Sequence, residues 1–378
     1  MANIIFLETV QDYGGARKST VELASRLLAY HNVEIIDVNG TCQPFIEACK
    51  KASIPLTILD KRDTPLILSS TNLLTKVKNY IYFWAYSRKI NKSLNNTLDK
   101  YEECYVIVNN SKVLTYLLNK PKGAKIVLFA RGWFVKQQIS KIDFSLYKRL
   151  VDKYIAVSES TRQAIYGAQL ASLQDITVVH NAIETTLRSP KAQYNNRAIR
   201  ILFSGGFLPT KGQITAIGIA QKLKERNIDF EMILTGIIYQ GEVSQNFYKQ
   251  IVNLIRESGL EDRIKIIVNH NNISEYFEWC DIFCHPSDTE GLPRVVMEAM
   301  SFGKPVIANA VGGVTDYILN GYTGFITRHN NIDDYVSAII KLKEDQTIYN
   351  KIAKRAYEVV TETFTANLQI EQLNSSLE

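Results

Sequence analysis

Two carboxylates in the second half of the chain are the residues best suited to chemistry. Glu290 follows the end of a predicted apolar strand, and Glu298 lies in a helix predicted over residues 293–302. Pro293 suits the first position of this helix because its missing N–H would have no partner there. The free backbone N–H groups at the start of the helix favour a phosphate, and we expect both carboxylates to face one cleft.

Two series of alternating strands and helices must position these residues. Each series opens with a strand and a Gly-Gly turn, a pattern typical of βαβ units and parallel sheets. The strands are predicted at 3–8, 33–38, 105–109, 125–129, 153–157, 200–204, 230–235, 264–268, 282–284 and 306–308. The predicted fold class is therefore α/β, with two Rossmann-like domains that face one another across a cleft.

The length of the chain fits this organisation. A chain of 378 residues is long enough for two domains, each with its own core. The polar stretch 184–198 has no sustained periodicity and marks the predicted boundary. We expect an N-terminal domain over 1–187, a C-terminal domain over 188–360, and a helical tail over 361–378 that packs back on the N-terminal domain.

Composition and charge exclude several classes of protein. With 46% hydrophobic and 22% charged residues, the chain is neither disordered, nor collagen-like, nor a disulfide scaffold. Residues 1–190 carry 25 basic against 16 acidic residues, whereas residues 191–378 carry 19 against 22. The acidic second half argues against a nucleic-acid-binding protein. No stretch of about 18 apolar residues occurs, and the N-terminus lacks the regions of a signal peptide.

The cysteines and histidines form no pattern typical of a metal site. Five cysteines is an odd number without framework spacing, so we expect reduced thiols in a cytoplasmic protein. Cys280, Cys284 and His285 lie in one apolar run and are interpreted as strand residues rather than metal ligands. For His285, core packing and the lining of a site are both left open.

The second half resembles the retaining GT-B glycosyltransferases of family 4. The likeness rests on Glu290-x7-Glu298, within Pro-Ser-x-x-Glu-Gly and before Gly-x-Pro-Val. Ser204–Gly212 is similar to the Gly-Arg-x5-Lys-Gly phosphate loop of that family. Further matches in glycine-rich turns, looser in the N-terminal half, are Gly14-Gly15-Ala16, Gly312-Gly313 and Gly321-x-x-Gly324.

This resemblance implies a nucleotide-sugar donor held mainly by the C-terminal domain. Glu298 would accept hydrogen bonds from the ribose hydroxyls, and Glu290 would accept them from the donor sugar. Lys211 would neutralise the diphosphate leaving group as its charge develops. The resemblance implies no cofactor, and the lack of any Asp-x-Asp sequence agrees with metal-independent catalysis.

Backbone segments complete the site that the resemblance implies. Two turns would bring main-chain groups to the diphosphate, one before the predicted helix and one after the first strand of the second domain. Their residues are Gly291, Leu292 and Pro293, and Gly205 and Gly206. In the N-terminal half, a third turn would contact the acceptor or the diphosphate, and its residues are Gly14, Gly15 and Ala16.

One expected cation is missing from this chain. Gly206 stands where the family has an arginine beside the diphosphate. Lys211 alone could compensate, or else Arg17, Lys18 or Arg131 from the other side of the cleft. Arg131 precedes a glycine, as in some members of the family, and we expect it to contact the donor phosphate or sugar as a catalytic residue.

The segment 73–92 carries an unusual mixture of residues. It contains five aromatic and five basic side chains within 20 positions. Such a segment suits an interfacial helix that touches an anionic membrane. A core helix whose lysines extend their charged ends to solvent explains the composition equally well.

The sequence thus predicts a cytoplasmic retaining glycosyltransferase, peripheral on the inner face of the plasma membrane if residues 73–92 bind lipid. It would transfer a sugar from a UDP- or GDP-sugar to a glycan or lipid-linked acceptor in surface polysaccharide biosynthesis. The alternatives are another GT-B enzyme, such as a phosphorylase or an epimerase, and a non-catalytic GT-B protein that binds nucleotide sugars. The choice of surface polysaccharide rests on analogy with the family.

Overall fold

The structure is a computed structural model that divides into two compact units. It describes residues 1–63, 73–109, 111–183, 197–239, 241–269 and 272–377. The first unit consists of Met1–His180 with Gln369–Glu378, and the second consists of Asn181–Leu368. The predicted boundary between residues 187 and 188 lies outside the described residues.

The first unit is built around a seven-stranded parallel sheet. Its strands are β1 (Asn3–Glu8), β2 (Asn32–Asp37), β3 (Leu56–Ile58), β4 (Cys104–Val108), β5 (Ala124–Ala130), β6 (Lys153–Ala156) and β7 (Ile176–Val178). They lie in the order β3-β2-β1-β4-β5-β6-β7. The described helices are α1 (Gly15–Leu27), α2 (Gln43–Lys51), α3 (Leu73–Leu98), α4 (Ser111–Leu114), α5 (Lys141–Leu150) and α6 (Glu159–Gly167).

The second unit repeats this architecture with six parallel strands. They are β8 (Ile199–Ser204), β9 (Phe230–Gly236), β10 (Ile264–Val268), β11 (Ile282–His285), β12 (Val306–Asn309) and β13 (Phe325–Thr327), in the order β10-β9-β8-β11-β12-β13. The described helices are α7 (Gln213–Glu225), α8 (Glu242–Glu257), α9 (Ser274–Trp279), α10 (Arg294–Ser301), α11 (Ile332–Glu344) and α12 (Gln346–Thr363).

The last helix, α13 (Ala366–Leu377), ends in the first unit. Lys153 Nζ donates to the carbonyl of Ser376 at 2.9 Å, and the hydroxyl of Tyr105 donates to the carbonyl of Leu377. Arg26 donates to the side chain of Gln369 at 3.1 Å. These contacts tie the end of the chain to strands β4 and β6 and to α1.

The predicted α/β class with two Rossmann-like domains is confirmed. Every predicted strand is present to within one residue. Most of them are apolar runs buried on both faces of a parallel sheet, and such runs are visible in the sequence. Three strands of only three residues each were not predicted: β3, β7 and β13. Cys284 lies in β11, but Cys280 ends α9 instead of lying in the strand, and both are buried.

The described residues contain neither a candidate membrane span nor a candidate metal cluster. No helix in that part of the chain combines the length and the apolar character that a membrane span requires. Nor do three or more histidine, cysteine or acidic side chains come together there as potential metal ligands.

Candidate active site

The candidate site lies at the carboxyl edge of the second sheet. The strand order reverses between β8 and β11, which are direct neighbours. Crevices at such a reversal are the usual ligand sites of open α/β sheets. The Gly205-Gly206 turn follows β8, and the loop with Glu290 follows β11. The topology therefore brings the two predicted motifs to one place.

Lys211 and Glu290 form an ion pair at this edge. Lys211 Nζ lies 2.8 Å from Glu290 Oε1, although the two residues are 79 positions apart. Gly212 makes the approach feasible. It has φ +86°, and a Cβ there would lie 2.0 Å from the carbonyl oxygen of Pro286. The structure thus places the predicted phosphate-binding lysine against the predicted sugar-binding carboxylate.

The charge state of Glu290 follows from its surroundings. Its side chain is only 15% exposed. This burial alone would raise the pKa, but the close approach of His285 and the charge of Lys211 outweigh it and hold the pKa at about 2. Glu290 is therefore an ionised, acceptor-only group at neutral pH.

His285 is the second neighbour of Glu290. It ends β11, is 2% exposed, and stacks on Phe283 at 6.2 Å between ring centroids. Its Nε2 lies 3.2 Å from Oε1 of Glu290, the same oxygen that Lys211 contacts. The sequence left two roles open for this histidine, and the structure places it both in the core and against the carboxylate.

The backbone around Glu290 is held by a second glycine turn. Gly312 has φ +51°, and a Cβ there would lie 2.1 Å from the carbonyl oxygen of Glu290. Gly313 N donates to the carbonyl of Gly291 at 2.6 Å, and Asp288 N donates to that of Thr210 at 2.9 Å. The Glu290 loop is thus fixed from both sides by main-chain contacts.

Helix α10 differs slightly from its prediction. It begins at Arg294, so Pro293 is the N-cap residue with ψ 105° and not the first helical residue. Leu292 is buried beside it. Glu298 lies one turn into the helix, where its Oε1 is 3.4 Å from Arg294 Nη2. Arg294 was missed as a partner, although its spacing of four residues from Glu298 is typical of helical ion pairs.

The turn after β8 explains how a glycine fits at position 206. Gln213 Nε2 donates to the carbonyls of Gly205 and Gly206 at 3.2 and 2.9 Å. A Cβ on Gly206 would lie 2.6 Å from Cε2 of Tyr239 and 2.8 Å from its hydroxyl oxygen. The ring of Tyr239 therefore occupies the space that a Cβ at position 206 would need, where the resemblance leads us to expect an arginine.

Gly206→Arg is expected to destabilise the second unit by about 1–3 kcal/mol, because the added side chain collides with the ring of Tyr239. Adding Tyr239→Ala should recover most of this loss, as measured by urea unfolding. Gly241→Arg is the matched control, since a Cβ on Gly241 would meet no atom within 4 Å. Equal destabilisation by both arginines would contradict the proposed collision.

The candidate residues of the first unit lie at the start of α1. Gly14 is the N-cap of this helix and has no side chain to cap it. Its carbonyl accepts from the backbone N–H groups of Arg17 and Lys18 at 3.0 and 3.1 Å. Gly15 and Ala16 form the first helical positions. A Cβ on Gly15 would meet no atom within 4 Å, so packing alone does not require glycine there.

Arg131 belongs to a polar network around a fully buried carboxylate. Glu8 ends β1 and lies 3.2 Å from Nη1 of Arg17. Asn109 donates to Glu8 and accepts from Arg131 Nε at 3.2 Å. The guanidinium of Arg131 also lies 4.4 Å from the ring centroid of Phe129. Both arginines therefore act as counter-ions of Glu8 within the first unit, and contact of Arg131 with a donor stays a prediction.

A second buried carboxylate ends β2. Asp37 Oδ1 accepts from the backbone N–H of Val10 at 3.2 Å, whereas its buried Oδ2 has no hydrogen-bond partner among the described residues. Burial raises the pKa of Asp37 to about 6, against the hydrogen bonds that lower it. The raised pKa means that Asp37 favours the folded state most when protonated, and that this contribution is lost as the pH rises through 6.

Asp37→Asn is expected to stabilise the first unit at pH 7.5 by up to about 3 kcal/mol, because the amide carries no charge to bury. The gain should shrink as the pH falls through 6 and vanish below about 4. Urea unfolding at several pH values measures it. Asp175→Asn, a change at an exposed position of the same unit, is the control. A gain that does not depend on pH would contradict this interpretation.

Comparison with known proteins adds the family context. Residues 185–359 match the family model described as "Glycosyl transferases group 1". An uncharacterized glycosyltransferase of Haemophilus influenzae is 30% identical over 216 residues, which cover 55% of this chain and 59% of that protein. The putative glycosyltransferase YtcC of Bacillus subtilis is 27% identical over 277 residues, 70% of this chain and 67% of YtcC. The match thus spans less than two thirds of the Haemophilus protein.

A solved structure supports the architecture of the whole chain. HepE of Anabaena, in complex with UDP and glucose, superposes with a TM-score of 0.80 at 20% identity. The superposition covers 100% of this chain and 99% of HepE. At that identity the likeness concerns the fold. The chain therefore has the GT-B fold, and its residues 185–359 match the glycosyl transferases group 1 family.

Proposed function

We propose that this protein is a retaining glycosyltransferase that uses a UDP- or GDP-sugar without a metal. The observation that carries the proposal is the Lys211–Glu290 ion pair at 2.8 Å, at the reversal point of the second sheet. The match of residues 185–359 to a glycosyltransferase family supports it. UDP is the first nucleotide to test, since HepE was solved with UDP and glucose.

In this proposal, the charged residues of the site bind different parts of the donor. Glu290, ionised at neutral pH, accepts hydrogen bonds from hydroxyls of the donor sugar. Glu298 accepts them from the ribose, and Arg294 orients it from one turn earlier. Lys211 turns from Glu290 to the diphosphate and stabilises the negative charge that develops as the glycosidic bond breaks. The backbone at the start of α10 adds N–H groups directed at the same anion.

In this proposal, retention needs no side-chain base. The acceptor attacks from the face that the diphosphate leaves, and a phosphate oxygen takes the acceptor's proton. The acceptor is a glycan or a lipid-linked glycan of a surface polysaccharide. The basic first unit suits a phosphate-rich or lipid-linked acceptor of this kind.

A thermal-shift screen with nucleotides and nucleotide sugars tests the donor. A ligand at 100 times its Kd stabilises a protein by about 2.7 kcal/mol, so UDP- or GDP-sugars should raise the melting temperature measurably. Glu298→Ala should abolish the shift, whereas Glu358→Ala, a change in an exposed ion pair of α12, should not. If no nucleotide raises the melting temperature, the proposed function is wrong.

Turnover separates the proposal from its rivals. Gly206 at the position of the family's arginine favours a non-catalytic nucleotide-sugar-binding protein, which would bind the donor without releasing the nucleoside diphosphate. A phosphorylase would instead release a sugar phosphate from a glycan, and an epimerase would convert the donor sugar. Transfer to an acceptor, with the anomeric configuration of the product read by NMR, identifies a retaining transferase.

We also propose that α3 contacts an anionic membrane surface. Leu74, Ile81 and Trp84 lie on one face of the helix and are 75%, 59% and 47% exposed. Tyr86 and Ile90, on the opposite face, are buried in the core of the first unit. The helix thus has a core face, as one interpretation of its sequence expects, and an exposed apolar face that supports the proposed membrane contact.

The charge of α3 supports an anionic membrane as the partner of the exposed face. The 26 residues of α3 include no acidic residue. Arg88 and Lys92 continue the exposed face by one and two turns, and the guanidinium of Arg88 lies 3.6 Å from the ring centroid of Trp84. Apolar and aromatic side chains next to cations match the boundary between acyl chains and anionic headgroups.

Vesicle co-sedimentation tests this contact. The protein should bind vesicles of phosphatidylcholine with about 30% phosphatidylglycerol, and much less to phosphatidylcholine alone. The double variant Ile81→Ser/Trp84→Ala should release it, whereas Ile142→Ser, a change at another exposed apolar residue of the first unit, should not. Absence of binding by the unmodified protein removes the membrane proposal.

A further inference from the structure

The buried imidazole of His285 lies close to Glu290 without making a hydrogen bond to it. The side chain is 2% exposed, yet neither Nδ1 nor Nε2 has a hydrogen-bond partner among the described residues. Buried polar groups without partners are rare because they lose their hydrogen bonds to water and form none within the protein. The 3.2 Å separation between Nε2 and Oε1 of Glu290 is short enough for a hydrogen bond but is not aligned for one.

The two neighbours of Glu290 differ in their freedom to move. Lys211 has a long flexible side chain that is partly exposed, and an ammonium group binds phosphate readily. His285 is fixed at the end of β11 by burial and by the ring of Phe283. A diphosphate at the site would therefore draw Lys211 away and leave His285 in place.

If Lys211 moved away, the carboxylate of Glu290 would lose its cation while remaining mostly buried. Lys211 and His285 both contact Oε1 of Glu290, so the loss of one frees that oxygen for the other. A small rotation of the carboxylate would align Oε1 with an Nε2–H of the imidazole. One donor then replaces another on the same atom, and no proton needs to move.

We propose that His285 is a positioning residue that holds Glu290 toward the donor sugar once Lys211 has turned to the diphosphate. The inference rests on the proposed function and deepens it, because it makes recognition of the sugar depend on a residue that touches no substrate. The sugar-dependent part of the affinity should therefore depend on His285, and the affinity for the nucleoside diphosphate should not.

Isothermal titration with a nucleotide sugar and its nucleoside diphosphate separates these two affinities. The pair is UDP-glucose with UDP, or GDP-mannose with GDP if the thermal-shift screen selects guanine nucleotides. His285→Phe keeps the stacked ring but loses the donor. It should weaken binding of the nucleotide sugar about 10- to 30-fold and that of the diphosphate less than about 3-fold.

Two further variants separate positioning from packing. His285→Gln carries an amide N–H at the reach of Nε2 and should restore binding to within about 3-fold. Phe283→Leu disturbs the stacking partner but keeps the donor, and should leave the ratio of the two affinities unchanged. If His285→Phe does not fold, His285→Asn takes its place in the comparison with His285→Gln. The side chain of asparagine is too short for its amide to reach Glu290.

The possible failures are distinguishable. If the unmodified protein binds neither nucleotide pair, the proposed function fails together with this inference. If it binds, but His285→Phe or His285→Asn changes both affinities equally, then His285 has only a structural role and the inference alone is wrong. A His285→Gln variant as impaired as His285→Phe also overturns it.

Discussion

Lys211→Ala is expected to lower kcat about 100- to 1,000-fold, because Lys211 is the cation that this proposal assigns to the charge of the departing diphosphate. The resemblance leads us to expect an arginine at position 206, but this chain has glycine there, and Tyr239 occupies the space that a Cβ would need. The nucleotide sugar should still bind, since Glu298 and the α10 backbone remain. The loss is therefore expected in the chemical step, as measured by single-turnover transfer.

The same change should also affect stability. Glu290 is mostly buried, and removing Lys211 takes away its cation. Breaking a buried ion pair in this way typically lowers the free energy of unfolding by several kcal/mol. Glu290→Gln removes the remaining charge, so the double variant should recover stability but not activity. This difference separates the structural role of the ion pair from its catalytic role.

A matched lysine provides the control for Lys211. Lys222 lies in α7 of the same unit and pairs with Glu225 at the surface, at 3.1 Å. Surface pairs of this kind contribute about 0–1 kcal/mol, so Lys222→Ala should leave both kcat and stability nearly unchanged. If Lys211→Ala keeps kcat within about 3-fold of the unmodified protein, the assignment of Lys211 to the leaving group is wrong.

The long strands could be predicted from the sequence, and the short ones could not. Apolar runs such as Ile199–Ser204 are buried in the middle of a parallel sheet and show in the sequence as such. Phe325–Thr327 has only three residues and pairs at the sheet edge, so no periodic pattern distinguishes it from a loop. It is a strand because it pairs with β12, and the sequence does not show that pairing.

In the candidate site, too, some residues could be predicted from the sequence and others could not. Glu290 and Lys211 lie in recognisable motifs, and the reversal of strand order accounts for their meeting. Tyr239 and Glu8 carry no local signal, because their importance comes from contacts with residues distant in the chain. Asn109, for example, reaches Glu8 across 101 positions. Residue types and spacing cannot supply contacts of that kind.

Helix α3 illustrates a different limit. Its aromatic and basic residues suit either a core or a membrane surface, since both environments accept an apolar body with a polar end. Only the packing of Tyr86, Ile90 and Leu94 shows which face is turned inward. The exposed face follows from that orientation, and composition alone could not have identified it.

Gly312→Ala is expected to lower kcat/KM about 100-fold through the position of Glu290. Gly312 has φ +51°, a conformation that costs alanine about 1–2 kcal/mol. In addition, the new Cβ would lie 2.1 Å from the carbonyl oxygen of Glu290, so the loop must move. A displacement of about 1 Å at a reacting group can cost 100-fold in rate.

Gly321→Ala separates the two parts of this effect. Gly321 has φ +73°, but a Cβ there would meet no atom within 4 Å. Alanine at position 321 should therefore show the conformational cost of about 1–2 kcal/mol in urea unfolding and keep its activity. Equal activity of the two variants would mean that the Glu290 loop tolerates displacement, and it would remove the link between the Gly312 turn and the site. A selective loss in Gly312→Ala would instead establish that the main-chain contact of this turn positions the carboxylate for the donor sugar.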